Sequence, residues 1–471
     1  MKNKDRMQIP RQEMPARDAT VRAATFSEVN LGLSEQIAIR EAQRCLGCKH
    51  AKCVTGCPVQ IDIPTFVGFV AIGDFKSAAE VLLRGNALPG ITGRICPQER
   101  QCECHCIREK NDTPVAIGYL ERFIADWARE HRDGKPPELP VASGFKVAVV
   151  GAGPAGLTAA GELAKKGHDV TVFEALHEPG GVLVYGIPEF RLPKDIVRAE
   201  VDSLRQLGVK IVVNVVIGRT YTIDDLLTEE GFHAVFIANG AGLPMFLGIP
   251  GENLKGVYSA NEFLTRLNLM KAYDPEADTP VMRPKKAVVI GGGNTSMDSV
   301  RTAKRLGANP ATLVYRRSRA EMPARAEEVV HAEEEGIVFQ MLTNPIAILA
   351  DDKGWVRGIR CQRMELDEPD NSGRRCPMPV SGSEFEIECD VVIEAIGTRA
   401  NPLLTATTPD LKVDGRGYIV IDANGMTSKP GVFAGGDIVR GAATVILAMG
   451  DGKKSAKAID HYLNALVTKK I

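Results

Sequence analysis

The sequence predicts an α/β chain in three blocks: a cysteine-dense helical N-terminal block, then two β-turn-α-β units, the second set into the first. Three observations carry this. Eight of the 11 cysteines fall between Cys45 and Cys106. Glycine-rich loops follow apolar runs at Gly151 and again at Gly291. Beyond the second unit, short apolar runs and a closing helical segment return.

The first block, residues 1–140, holds short helical patterns at 73–83 and 115–129. It ends in His131-Arg132-Asp133-Gly134-Lys135-Pro136-Pro137, a polar, proline-rich stretch that reads as a linker. In the second block a strand at 146–150 runs into Gly151-Ala152-Gly153-Pro154-Ala155-Gly156. A helix to about residue 166 and a strand at 169–174 complete the unit. The third block repeats the plan: a strand at 286–290, Gly291-Gly292-Gly293-Asn294-Thr295-Ser296, a helix to 306 and a strand at 311–315. Later strands are expected at 390–394 and 431–434, and a long helix from 444 to 466. The expected division is residues 141–275 with 391–471 for one unit and 276–390 for the inserted one.

The bulk numbers suit this reading. The chain has 471 residues, with 44% hydrophobic and 25% charged, ordinary for a globular protein. A net charge of −1 gives no global pull toward nucleic acid or an anionic membrane. The N-terminal Met1-Lys2-Asn3-Lys4 leads into no apolar signal segment, and no apolar run reaches about 18 residues, so a cytoplasmic protein is expected.

In such a reducing setting, dense cysteines point to metal or cluster ligation rather than disulfides. The spacing is Cys45-x2-Cys48-x4-Cys53-x3-Cys57-Pro58, followed downstream by Cys96-Pro97, Cys102, Cys104 and Cys106. It is close to the ferredoxin-type pattern for iron–sulfur clusters. Zinc is the competing reading, but zinc sites usually show paired C-x2-C knuckles, and only one occurs here. Cys361, Cys376 and Cys389 are scattered and are read as thiols without a role.

In the first glycine loop, Gly151 permits the turn, Gly153 admits a pyrophosphate and Gly156 lets helix and strand approach. The helix N-terminus offers free N–H groups to phosphate, with Ala155 in its first turn. Glu174 ends the next strand, where an acid holds an unphosphorylated ribose, as in FAD or NAD. Downstream, Ala434-Gly435-Gly436-Asp437 ends a strand and Ala442-Ala443-Thr444 opens a helix. In flavoproteins of the disulfide-reductase class such an Asp binds the ribityl chain, and the helix start faces the flavin. That favours FAD here; an ordinary turn or N-cap residue is the alternative for Asp437.

In the second loop, Gly291 and Gly293 take the same parts, with Asn294 and Thr295 between them and Ser296 at the third small position. The following strand ends Tyr315-Arg316-Arg317, with arginines where the acid would stand. Arg holds a 2′-phosphate bidentately, so Arg316 and Arg317 favour NADP(H).

With these motifs in hand, the chain resembles the NADPH-linked small subunit of bacterial glutamate synthase. It is similar, more closely, to the large subunit of the electron-bifurcating NADH-dependent reduced ferredoxin:NADP oxidoreductases, and to the N-terminal part of dihydropyrimidine dehydrogenase. The resemblance spans nearly the whole chain. It is carried by residues 45–58, Gly93-Arg94-Ile95-Cys96-Pro97-Gln98-Glu99, Ala116-Ile117-Gly118 with Glu121, Tyr185-Gly186-Ile187-Pro188, and Tyr315-Arg316-Arg317 with Met322-Pro323. It implies one [4Fe–4S] cluster on Cys45, Cys48, Cys53 and Cys106, and another on Cys57, Cys96, Cys102 and Glu121. Cys104 departs from the family and leaves open whether it or Glu121 is the fourth ligand. Gly180, Gly181, Tyr185 and Ile187 are implied to lie along the flavin.

The resemblance implies an oxidoreductase subunit that moves electrons between NADP(H), FAD and two clusters. Its partner would be a second redox subunit, either a ferredoxin-reductase-like chain or the glutamate synthase large subunit, with ferredoxin a further candidate. The region from Met14-Pro15 to Gly32 favours the bifurcating enzyme. A thioredoxin-reductase-like enzyme would need a C-x-x-C in the nucleotide units, which Cys361, Cys376 and Cys389 do not supply. A non-enzymatic cluster-bearing redox sensor is the reading from another class.

Overall fold

The Asp74 carboxylate accepts the backbone N–H of Ser77, and the helix Phe75–Gly85 begins there, two residues later than the apolar pattern suggests. Its partner begins at Ile117 and runs Ile117–Glu130. With Ile63–Val70 and Pro89–Ile95 these helices bury Phe66, Leu82, Leu88, Ile91, Leu120 and Ile124. The computed structural model describes residues 1–110, 112–131, 138–370 and 373–468. Residues 132–137 of the expected linker lie outside the described residues.

Two five-stranded parallel sheets follow. The first has the order Val432–Ala434, Ala234–Ile237, Lys146–Val150, Asp169–Phe173, Lys210–Val212. The second has the order Val257–Ser259, Val391–Glu394, Ala287–Ile290, Ala311–Tyr315, Val338–Met341. The central strands of both are buried on both faces, as parallel sheets covered by helices must be. In each, the glycine loop leaves the central strand where the strand order reverses, the crevice in which such sheets bind ligands.

The sheets divide the chain differently from the expected boundaries at 275 and 391. Val257–Ser259 and Val391–Glu394 both pair within the second sheet. The crossing points are instead a short antiparallel pair, Leu243–Pro244 with Thr398–Arg399. A continuous apolar run such as Val391–Glu394 fits a buried strand of either sheet, so its pattern alone could not assign it. An antiparallel meander of Thr343–Ala350, Val356–Pro369 and Arg375–Pro379, with Phe385–Glu388 returning to pair Val356–Pro369, extends the second unit and was not anticipated.

The closing helix Val445–Thr468 packs on the helix Pro154–Ala164. The N-terminal segment runs along both units: Val29 N–H donates to the Phe190 carbonyl and Phe26 stacks on Tyr273 with centroids 4.2 Å apart. Beneath it, Arg22, Arg301 and Arg305 converge on buried Glu335, and Arg191 pairs with Asp298 at 2.7 Å. Breaking such a buried network strands a charge and costs several kcal/mol, about 3–5. Among the described residues no helix is long and apolar enough to cross a membrane.

Candidate functional site

The first glycine loop is shaped by close backbone approach. A Cβ on Gly156, in the first turn of the helix Pro154–Ala164, would lie 1.9 Å from the Gly151 carbonyl oxygen, so only glycine fits there. Beside Gly153 there is open space. Glu174 is buried and latches the loop: its Oε2 accepts Ala152 N–H at 2.8 Å and its Oε1 accepts Leu176 N–H at 2.9 Å. Gly180 N–H donates to the Ala152 carbonyl, Gly181 lies against Gly153, and Gly436 against Ala155. Burial, with Asp437 and Glu174 nearby, pushes the Tyr185 hydroxyl up to about 12. Ile187 is buried, its carbonyl held by Lys194 Nζ at 2.6 Å.

Asp437 is pushed up to about 6, mainly by burial. Its Oδ1 is buried without a hydrogen-bond partner among the described residues, while the Ala443 backbone stabilises its charge. A buried carboxylate oxygen with nothing to accept is costly unless a ligand hydroxyl reaches it. Thr444 immediately precedes the long helix Val445–Thr468. The residues expected for FAD thus come together, and they fit a dinucleotide with a ribityl chain.

In the second loop, Gly291 lies against the Ala395 carbonyl, and Ser296 Oγ reaches that same oxygen at 3.4 Å. Gly293 has only Pro323 nearby, at 4.0 Å from an added Cβ. Asn294 Oδ1 accepts Arg325 N–H at 2.8 Å; Thr295 is exposed. The two arginines part company. Arg316 is exposed and makes no hydrogen bond or ion pair among the described residues. Arg317 is buried, with Nε donating to the Arg375 carbonyl and Nη2 paired to Asp370, both at 2.8 Å. The expectation that both arginines are available to a phosphate is corrected on this point. The unanticipated meander claims Arg317.

The cysteines form two groups. Cys45, Cys48, Cys53 and Cys106 are half-buried and interact electrostatically; burial and the neighbouring thiols push Cys53 up to about 12. Cys57, Cys96 and Cys102 are buried around Glu121, each thiol raised, first by burial. Glu121 is buried, with Oε1 accepting from Asn86 and Thr92, and burial pushes it up to about 7. Neither Asn86 nor Thr92 carries a sequence signal. Cys104 is exposed, its Sγ donating to the Gln101 carbonyl, and stands outside both groups.

Among the described residues no three His, Cys, Asp or Glu converge as ligands of a single ion. A zinc site needs four ligands meeting at about 2.3 Å, whereas a four-iron cluster takes each ligand on its own iron. Cationic iron would also reverse the raised thiol values by deprotonating them outright. The donor sets fit clusters.

The buried group adjoins the first nucleotide unit. Gln101, next to Cys102, donates to Thr444 Oγ1 at 3.4 Å. Lys453 of the closing helix donates to the Val59 and Gly85 carbonyls, both at 2.8 Å, and a Cβ on Gly450 would sit 3.1 Å from the Pro58 carbonyl.

Comparison with known proteins agrees with this layout. Residues 22–133 match dihydropyrimidine dehydrogenase domain II, 4Fe-4S cluster, and residues 145–452 match the pyridine nucleotide-disulphide oxidoreductases. The glutamate synthase [NADPH] small chain of Escherichia coli is 37% identical over 97% of this chain and 98% of its own length. The chain belongs to the glutamate synthase small-chain family. The formate dehydrogenase (NADP+-dependent) subunit beta of Moorella thermoacetica is 42% identical over 88% of this chain, which spans 60% of that subunit's length.

Solved structures share the fold. Mycobacterium tuberculosis FprA in complex with NADPH superposes with a TM-score of 0.58 at 22% identity, covering 69% of this chain and 86% of FprA. Thioredoxin reductase of T. acidophilum gives 0.51 at 24%, covering 68% and 99%. As a member of the small-chain family, this protein is an oxidoreductase with an iron–sulfur portion and a flavin- and pyridine-nucleotide-binding portion. Cys361 and Cys389 are buried, with burial pushing both thiols up to about 12, which suits inert core cysteines.

Proposed function

We propose that this chain is the NADP(H)-, FAD- and cluster-binding subunit of a multi-subunit redox enzyme, in the manner of the large subunit of the electron-bifurcating NADH-dependent reduced ferredoxin:NADP oxidoreductases. The observation that carries the electron path is the contact of Gln101 with Thr444. It sets the segment holding Cys102 beside Thr444, where in this reading the helix start faces the flavin. The relatives whose names include subunit or small chain support a partner chain. Met14-Pro15 to Gly32 supports the bifurcating enzyme over a glutamate synthase small subunit, and a cytoplasmic setting suits both.

In this reading Arg316 holds the 2′-phosphate, and Asn294 with the Gly291–Gly293 loop holds the pyrophosphate. Glu174 takes the FAD ribose, Asp437 its ribityl chain, and the helix start at Thr444 favours negative charge at the ring. Cys45, Cys48, Cys53 and Cys106 hold one cluster, and Cys57, Cys96, Cys102 and Glu121 the other. When bound, flavin and clusters convert hydride transfer into single-electron transfer, the chemistry the protein itself lacks. No Ser-His-Asp set is needed.

Anaerobic preparations should hold about one FAD and roughly eight irons per chain. Cys48→Ala should leave NADPH-driven reduction of a small dye largely intact and abolish transfer to the co-purified partner. A folded, flavinylated Cys48→Ala protein that still serves its partner at the normal rate would make the clusters structural. A large amidotransferase-type partner would decide for glutamate synthase.

A further inference from the structure

One segment touches both the second nucleotide loop and the cysteine block. On the nucleotide side, Ala324 N–H donates to the Gly292 carbonyl, and Arg325 N–H to Asn294 Oδ1 at 2.8 Å. Pro323 stands opposite Gly293. On the cysteine side, the Arg325 guanidinium donates to the Arg94 carbonyl at 2.6 Å, two residues before Cys96. Ala326 N–H donates to Glu99 Oε1 at 3.0 Å. Arg100 closes the clamp, with its two terminal nitrogens donating to the carbonyls of Pro323, Met322 and Ala324 at 2.9, 3.0 and 3.3 Å.

Arg325 is buried, and its charge is met by Glu327 at 2.6 Å, with Glu328, Glu99 and Arg191 also facing it. Its guanidinium sits at the last turn of the helix Pro89–Ile95, which Cys96 caps. A buried cation beside a cluster ligand favours the more negative, reduced state of whatever that ligand holds. The same residue fixes the side chain that opens the nucleotide-loop helix.

We infer that Arg325 is a positioning residue that couples occupancy of the second nucleotide loop to the redox state of the group ligated by Cys96. The inference rests on the cofactor assignment above. Coupling of this kind is reciprocal: whatever nucleotide does to the group's reduction, reduction does to nucleotide affinity. Among the described residues, none of the clamp's hydrogen bonds involves Cys45, Cys48, Cys53 or Cys106, and that group stands as the internal control.

The experiment uses anaerobic holoenzyme. Midpoint potentials of both clusters are followed by electron paramagnetic resonance, with and without saturating NADP+, and NADP+ affinity is measured on the oxidised protein. In the unsubstituted enzyme NADP+ should move one midpoint and leave the other; a tenfold linkage corresponds to about 59 mV. In Arg325→Gln that response should shrink at least threefold, the midpoint without nucleotide should fall, and NADP+ should bind about tenfold more weakly. Arg325→Lys, which keeps the cation, should restore the midpoint. Arg100→Ala, an exposed site that tests the clamp if Arg325→Gln fails to fold, should shrink the response too.

An unsubstituted enzyme whose midpoints ignore NADP+, or variants that weaken NADP+ binding while keeping the full response, would overturn the coupling. Absence of iron on Cys57, Cys96 and Cys102 would instead overturn the cofactor assignment, a separate failure read directly from iron content.

Discussion

The two nucleotide units share a backbone plan and differ at three equivalent positions. In the first, Ile237 pairs with Val150 just before the glycine loop and is wholly buried; in the second, Glu394 pairs with Ile290 at the same place. The first has Gly156 pressed on a carbonyl, where the second has Ser296. The first ends its next strand in a latched carboxylate, Glu174, and the second in an exposed cation, Arg316, unpaired among the described residues, beside a spent one, Arg317. On the proposed cofactor assignment, the shared fold sets where phosphate goes, while single side chains at its margins choose which dinucleotide is held.

The comparison breaks most sharply at Gly153, which borders open space, so Gly153→Val should fold yet bind no FAD, while NADP+ binding by the second unit persists. Flavin content and NADP+ titration check this; loss of both nucleotides would mean the units are not separable. Next, Arg316→Ala should weaken NADPH binding by about 1.5–3 kcal/mol, as for other hydrogen bonds to charged groups, and leave NADH nearly unchanged. Equal losses for both nucleotides would remove Arg316 from the phosphate site.

Arg317→Ala should do the reverse. It removes the ion pair with Asp370 and the hydrogen bond to the Arg375 carbonyl, costing about 1–3 kcal/mol of stability in a denaturant titration, with nucleotide preference kept. The smallest effect concerns pH. Burial, with Glu252 nearby, pushes Glu394 from 4.5 up to about 7. Its folded value lies above its unfolded one, so the native state binds the extra proton. Its contribution is present below about 4.5 and is lost as pH rises through about 7. Glu394→Gln should therefore flatten the decline in stability between those values by on the order of 1 kcal/mol. An unchanged pH profile would mean Glu394 titrates as an ordinary surface acid.

Much of this was legible beforehand. Residues 146–174 and 286–315 read directly as two β-turn-α-β units, because their apolar runs, glycines and strand ends are local signals. The cysteine grouping followed from family resemblance, and the structure gathers the same residues. The meander from Thr343 to Glu388 was missed, since its long strand alternates only partly between buried and exposed. The fate of Arg317 was hidden with it.

What the sequence by itself determined is whatever depends on near neighbours: where each loop turns, which residues can approach phosphate, and how the cysteines are spaced. What only the tertiary structure decided depends on partners far along the chain. Arg317 is claimed by Asp370, 53 residues away, and Arg325 reaches Arg94, 231 residues away. Membership of Val257–Ser259 and Val391–Glu394 in the second sheet was fixed by pairing, not by pattern. Periodicity records which face of an element is buried, but it carries no record of what that face is buried against.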